Sequence, residues 1–360
     1  MASEATQVAL DTSAAEAAVA LMQDASGGTA VANMEDRWAA LIGSPAYVAW
    51  ARASSCAPDE VLAALRRCPL KPGGSIPERL PASVRSALAA FTQVRANVDE
   101  LSARLSQARS LRIGEAADQA LALLPEDTAL HATVFVLLSG DRQGLAGERG
   151  EVTLDLLAVP SISAGALMTS LLAHELHHIA LDWWRERDRP AARALAGGGP
   201  AAAAVTALHM LLSEGTANAF FTPTDPVWLR AAAPGLADVY GAEFTDAYLD
   251  RLAADKVRLP DLLRQLDGVL AMLASGQETP DAVSYVHCIA MHREDLPRPV
   301  AHFLGEAMVN AIRRRAGDDA VVAAIADLQR FVPAYQDAAE AAGLPLLRDE
   351  TVASINRLWE

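Results

Sequence analysis

The chain has 360 residues, of which 52% are hydrophobic, enough to bury a substantial core as one large domain or two ordinary ones. Thirty basic residues against forty-five acidic ones leave a net charge of −15, the wrong sign for a chain that wraps nucleic acid or rests on an anionic membrane surface. Cys56, Cys68 and Cys288 are odd in number, widely spaced and without a CxxC pair, so they indicate neither a disulfide framework nor a thiolate zinc site and are expected as buried thiols.

The opening stretch "MASEATQVALDTSAAEAAVALMQ" lacks the basic n-region of a signal peptide, and no apolar run reaches the ~18 residues of a membrane span. A cytoplasmic protein is the expectation, one that a secreted chain trimmed of its leader would share. Asp11, Thr12 or Ser13 can cap a first helix that Gly27-Gly28 stops. Further helices are predicted near 35–54, 58–67, 82–110 and 114–124, with "KPGGSIPERLP" (71–81) as the main turn-rich break. The first third therefore reads as a helical layer.

The texture changes at "ATVFVLLSG" (132–140), where β-branched and aromatic residues first cluster, and again at "GEVTLDLLAV" (150–159), with Val152, Leu154 and Leu156 at period two. Two short strands are predicted, joined by the glycine-rich "GDRQGLAGERG". Helices then resume near 162–187, 202–222, 240–254, 259–275 and 298–315, with two more near the C-terminus. "RERDRPAAR" (185–193) reads as a solvated charged segment and "AGGGPAAAA" (196–204) as a flexible connector. The fold class is thus mostly α (α+β), with a small sheet just before a histidine-rich helix. The expected organisation is an N-terminal helical region, 1–125, packed on a catalytic region, 126–360, and the two can form one continuous domain.

"LLAHELHHIALDWW" (171–184) contains His174, Glu175 and His178 in the pattern HExxH. Helical residues four apart differ by only about 40° in direction, so the two imidazoles can reach one cation from a single face. Glu175 lies beside that face, where its carboxylate can act as a general base without being a ligand. A catalytic zinc needs a third protein ligand. Glu214 is a lone carboxylate in the apolar helix "HMLLSEGTANAFF" (209–221), and such a residue is costly to bury unless paired or metal-bound. Asn218, one turn on, can accept the free N–H of a ligating histidine, and Gly215 can let another helix approach closely. His177 falls close enough to His174 to be an alternative ligand, but only His174 with His178 leaves Glu175 in a base's position, so His177 is expected as a packing, capping or outer-shell group. His209, off the Glu214 face, reads as structural, and His131 has no constellation around it. Trp183 and Trp184 read as core or as part of a substrate wall.

"HELHH" followed by "SEGTAN" resembles the gluzincin zinc metallopeptidases, most of all bacterial zinc-dependent peptidases with an HExHH and EGxA pairing. The resemblance is carried by residues 132–222 and fades toward 315. It implies a gluzincin-like core, a Zn²⁺ cofactor on His174, His178 and Glu214, Glu175 as base, a peptide or protein substrate, and substrate binding by strand addition to the edge of the small sheet. "HFLGEAM" (302–308) resembles a YxxGxxM stretch in these peptidases, with His302 where tyrosine is usual. It makes His302 the first choice for stabilising the oxyanion and Tyr285 the second, with Gly305 permitting close helix packing. Two departures matter. Asn218 stands where Asp is common, and the edge-strand Gly-x-Met-x-Asn of the aminopeptidase members is missing, which points to an endopeptidase or a carboxyl-side cutter. The rival expectations are an inactive peptidase-like scaffold and a zinc hydrolase acting on a non-peptide amide.

Overall fold

The computed structural model describes residues 6–26, 35–54, 56–67, 76, 78–94, 97–147, 149–277 and 299–360. It is mostly helical with one small sheet, the class expected from the sequence. The sheet comprises β1 (Gln7–Asp11), β2 (His131–Leu137), β3 (Gly144–Ala146) and β4 (Glu151–Asp155), in the order β1-β2-β4-β3. β2 is parallel to β1 and to β4, while β3 runs antiparallel to β4 along the sheet's edge.

β2 and β4 are the two expected strands. β1 and β3 are additions. β1 turns the stretch before the first helix into a sheet member, and β3 lies inside the turn read as a plain connector. That turn is held from below by Asp155, 1% exposed, whose Oδ1 accepts from the Ser139 and Leu157 N–H groups at 3.1 and 3.2 Å and whose Oδ2 accepts from Arg142 N–H at 2.7 Å. Burial pushes the Asp155 carboxyl up to about 6, against the lowering effect of those three donors. Arg142 adopts a positive φ of 52°, a costly conformation for a side chain with a Cβ, and its carbonyl accepts from the Tyr240 hydroxyl at 2.6 Å.

Before β2 come α1 (Ser13–Ser26), α2 (Glu35–Ile42), α3 (Pro45–Ala53), α4 (Pro58–Arg67), α5 (Ala82–Val94), α6 (Val98–Arg109) and α7 (Ile113–Ala122). Two long expected helices are each broken. The 35–54 run breaks at Gly43-Ser44, where Pro45 restarts the chain as α3 without needing an N–H partner. The 82–110 run is interrupted at Asn97, whose φ is −143°.

After the sheet follow α8 (Gly165–Arg185), α9 (Arg189–Gly197), α10 (Gly199–Phe220), α11 (Pro226–Tyr240), α12 (Ala242–Asp255), α13 (Leu259–Ala274), α14 (Val300–Ala316), α15 (Asp318–Ala326), α16 (Phe331–Ala339) and α17 (Asp349–Arg357). "AGGGPAAAA" is not a flexible connector. Gly198, at φ 66°, turns the chain between α9 and α10, Pro200 opens α10, and the alanines form its first turn. Nor is 185–193 wholly solvated: Asp188 is buried, caps α9 at Ala191 N and accepts Leu328 N at 3.0 Å.

One apolar core runs through the molecule, from Ala14 and Leu21 of α1 through Val134 of β2, Leu176 of α8 and Leu211 of α10 to Met308 of α14 and Ile355 of α17. α10 is apolar around its circumference and is packed by α8, α9, α13 and α14, the burial such a helix requires. Its crossing with α14 is backbone on backbone. A Cβ on Gly215 would lie 2.5 Å from the Gly305 carbonyl carbon, and one on Gly305 would lie 2.2 Å from Leu211 O. Cys56 is a half-buried free thiol; Cys68 and Cys288 lie outside the described residues. Among the described residues no helix is long and apolar enough to cross a membrane.

Candidate metal centre

Three helices converge on one carboxylate oxygen. α8 brings His174 and His178, α10 brings Glu214, and α14 brings His302. The Nε2 atoms of His174, His178 and His302 lie 3.7, 3.4 and 3.1 Å from Glu214 Oε2. That oxygen is buried and accepts no well-aligned hydrogen bond, an arrangement that costs free energy unless a cation fills the space between the donors. His174, Glu214 and His302 form a group that could hold a metal, their ligand atoms all within 4.8 Å of one another; His178 lies near Glu214 but outside that group.

The Nδ1 atoms of His174 and His178 are each held by a hydroxyl. His174 Nδ1 pairs with Thr222 Oγ1 at 3.0 Å, and that hydroxyl donates to Asn218 Oδ1 at 3.2 Å, which assigns the Nδ1–H tautomer to His174. Asn218 is thus linked to the histidine through Thr222, a residue not expected from the sequence, and the Asn218 amide also donates to Glu214 O at 2.7 Å. His178 Nδ1 pairs with Ser213 Oγ at 2.8 Å. His177 points elsewhere. Fully buried, it engages Ala120 O through Nδ1 and Thr216 Oγ1 through Nε2, tying α8 to α7 and α10. Burial pushes its pKa down to about 3, so it stays neutral.

The charges of the cluster are coupled. Burial opposes a charge on His178, yet Glu214, with Glu175 and Asp182 behind it, raises its pKa to about 9. Burial likewise opposes the Glu214 carboxylate, but the imidazoles of His178 and His302 hold its pKa well below the usual range. The carboxylate thus favours a proton on His178.

Glu175 stands beside this cluster and under the sheet's edge. Its Oε2 accepts from Ala146 N–H of β3 at 3.1 Å. Gly144 makes the approach possible, since a Cβ there would lie 3.2 Å from Glu175 Cγ. Neither Gly144 nor Ala146 was singled out from the sequence; the glycine-rich turn was the only signal.

The remaining candidates are dispersed. His209 is largely buried on α10, its Nε2 without a hydrogen-bond partner, and burial followed by Arg185 pushes its pKa down to about 4. Trp184 donates to Thr128 Oγ1 at 2.7 Å, and Arg187 stacks over Trp183. His131 is an exposed residue at the start of β2. Tyr285 lies outside the described residues.

Residues 61–343 match the family model DUF5700, described as "Putative zinc dependent peptidase". The chain belongs to this family. The match reaches back into α4 and forward past α16, well beyond the histidine and glutamate helices. No curated protein and no solved structure matches the chain. Zinc is the metal by which the family is described, and the donor set of imidazoles and one buried carboxylate suits it.

Proposed function

We propose that the protein hydrolyses peptide bonds in the manner of the gluzincins, with zinc held by His174, His178 and Glu214 and with Glu175 as general base. The observation that carries this reading is Glu175. A purely structural metal site has no use for a carboxylate pinned by a backbone N–H beside its ligands, whereas hydrolysis requires one. Bound there, zinc supplies a Lewis acid and lowers the pKa of water to about 7.

The protein's own residues do the rest. β3 is an edge strand, and an extended peptide adds to it by main-chain hydrogen bonds, bringing a carbonyl over Glu175. Glu175 takes the proton of the attacking water and passes it to the leaving amine nitrogen. Thr222 accepts the Nδ1–H of His174 and so leaves its Nε2 lone pair for the ligand position, while Ser213 holds the His178 ring through Nδ1. Gly144-Leu145-Ala146 offers no side-chain acceptor for a free amino terminus, which supports internal or carboxyl-side cleavage.

Metal analysis of the purified chain and a peptide-library digest, each with the parent and Glu175→Gln, test the reading. Zinc in both proteins, with cleavage lost about 10²–10⁴-fold in the variant, is the expected result. The reading fails if no zinc co-purifies and added zinc leaves the Tm unchanged. It fails equally if the variant cleaves at the parental rate, or if the zinc-loaded parent cleaves nothing, which leaves a peptidase-like binding protein.

A further inference from the structure

We infer that His302 is a fourth protein ligand to the metal, and the one that comes off to open the site. The inference rests on the zinc reading above and concerns how that site is closed. With metal–ligand distances of about 2.0–2.1 Å, neighbouring ligand atoms of a tetrahedral zinc stand about 3.3–3.4 Å apart. The Nε2 atoms of His302, His178 and His174 are 3.1, 3.4 and 3.7 Å from Glu214 Oε2, so His302 stands at least as near that oxygen as either HExxH histidine, and it belongs with His174 and Glu214 to the group whose ligand atoms all lie within 4.8 Å of one another.

The backbone contact between Gly215 and Gly305 makes this possible. It draws α14 against α10, with His302 one turn before Gly305 and Glu214 next to Gly215.

Four protein ligands characterise a closed site, whereas hydrolytic zinc keeps one position open. One ligand must therefore leave when substrate enters. The side chains of His174 and His178 are 9% and 15% exposed, and that of His302 is 25% exposed in the first turn of α14. Of the three imidazoles, His302 is the one with most room to move.

X-ray absorption at the zinc edge of the loaded full-length chain counts imidazoles directly. Three support the inference and two overturn it. Zinc titration of His302→Ala gives a second reading. The dissociation constant should rise at least about 100-fold, beyond the 10–100-fold typical for loss of an outer hydrogen-bond partner, and free imidazole should restore part of the affinity. Equal zinc affinity in parent and variant, with cleavage impaired, makes His302 an oxyanion donor only and overturns the inference while leaving the peptidase reading intact. Absence of zinc from the parent defeats both. If His302→Ala loses its metal-free circular dichroism, the imidazole count in the parent decides.

Discussion

Replacing Gly305 with alanine sets local and tertiary preferences against each other. In an exposed helix interior, glycine to alanine stabilises by about 1 kcal/mol. At Gly305 the new Cβ would lie 2.2 Å from Leu211 O and 2.8 Å from Gly215 Cα, both backbone atoms that no rotamer change can move. A carbon-to-carbonyl contact closes at about 3.3 Å, so α14 must retreat from α10 by about 1 Å. Overpacking of this kind costs about 1–3 kcal/mol, and the net effect is destabilising by up to about 2 kcal/mol. His302 moves with α14, so its 3.1 Å separation from Glu214 Oε2 opens to about 4 Å by the same retreat and zinc binds more weakly. Gly268 of α13 is the control, since a Cβ there meets nothing within 4 Å, and Gly268→Ala should be neutral or stabilising. Urea denaturation of the metal-free proteins and zinc titration read both effects. A Gly305→Ala variant as stable as Gly268→Ala, with parental zinc affinity, would refute the close crossing and the placement of His302 that depends on it.

Three further predictions follow from hydrogen bonding and burial. Thr222→Val removes the partner of His174 Nδ1 and should weaken zinc binding about 10–100-fold, with little change in the metal-free fold; unchanged affinity would show that the tautomer is set elsewhere. Asp155→Asn places an amide N–H2 against the N–H groups of Arg142 or of Ser139 and Leu157, costing about 1–3 kcal/mol. It should slow cleavage while leaving zinc bound, because β3 loosens above Glu175, and an undiminished rate would sever that link. His209 is neutral in the folded protein, its pKa depressed to about 4 from an unfolded value of about 6.5. The unfolded chain therefore takes up the proton first. The stability this group provides is complete above about pH 6.5 and is lost as pH falls toward 4, by at most about 1.4 kcal/mol per unit. His209→Leu also removes a buried nitrogen without a partner and should be neutral or stabilising at neutral pH; urea midpoints across that range should fall less steeply than the parent's, and parallel slopes would refute the assignment.

The residues most legible in the sequence are those whose meaning is local. His174, Glu175 and His178 lie on one helix, so helical geometry alone places two imidazoles together with a carboxylate beside them. Glu214 stood out because an isolated carboxylate in an apolar helix demands a partner wherever that helix lies. Helix breaks at Pro45 and Asn97 were less legible, since a run of helix-forming residues on both sides masks where tertiary packing turns the chain. β1 and β3 were missed for a related reason. Strands of five and three residues carry little signal of their own and exist because β2 and β4 offer them hydrogen bonds, across 124 residues of sequence in the pairing of Gln7 with His131.

Only the tertiary structure decided how the parts of the site meet. It put Thr222 between His174 and Asn218, turned His177 toward Ala120 and Thr216, and set Gly144 and Ala146 over Glu175. It also carried His302 to within 3.1 Å of Glu214 Oε2. The sequence by itself determined which residues could bind a metal, because donor chemistry and helical period are properties of the chain. Which of them share one cation depends on how closely two helices can approach, and here that distance is set by two glycines 90 residues apart that touch only after folding.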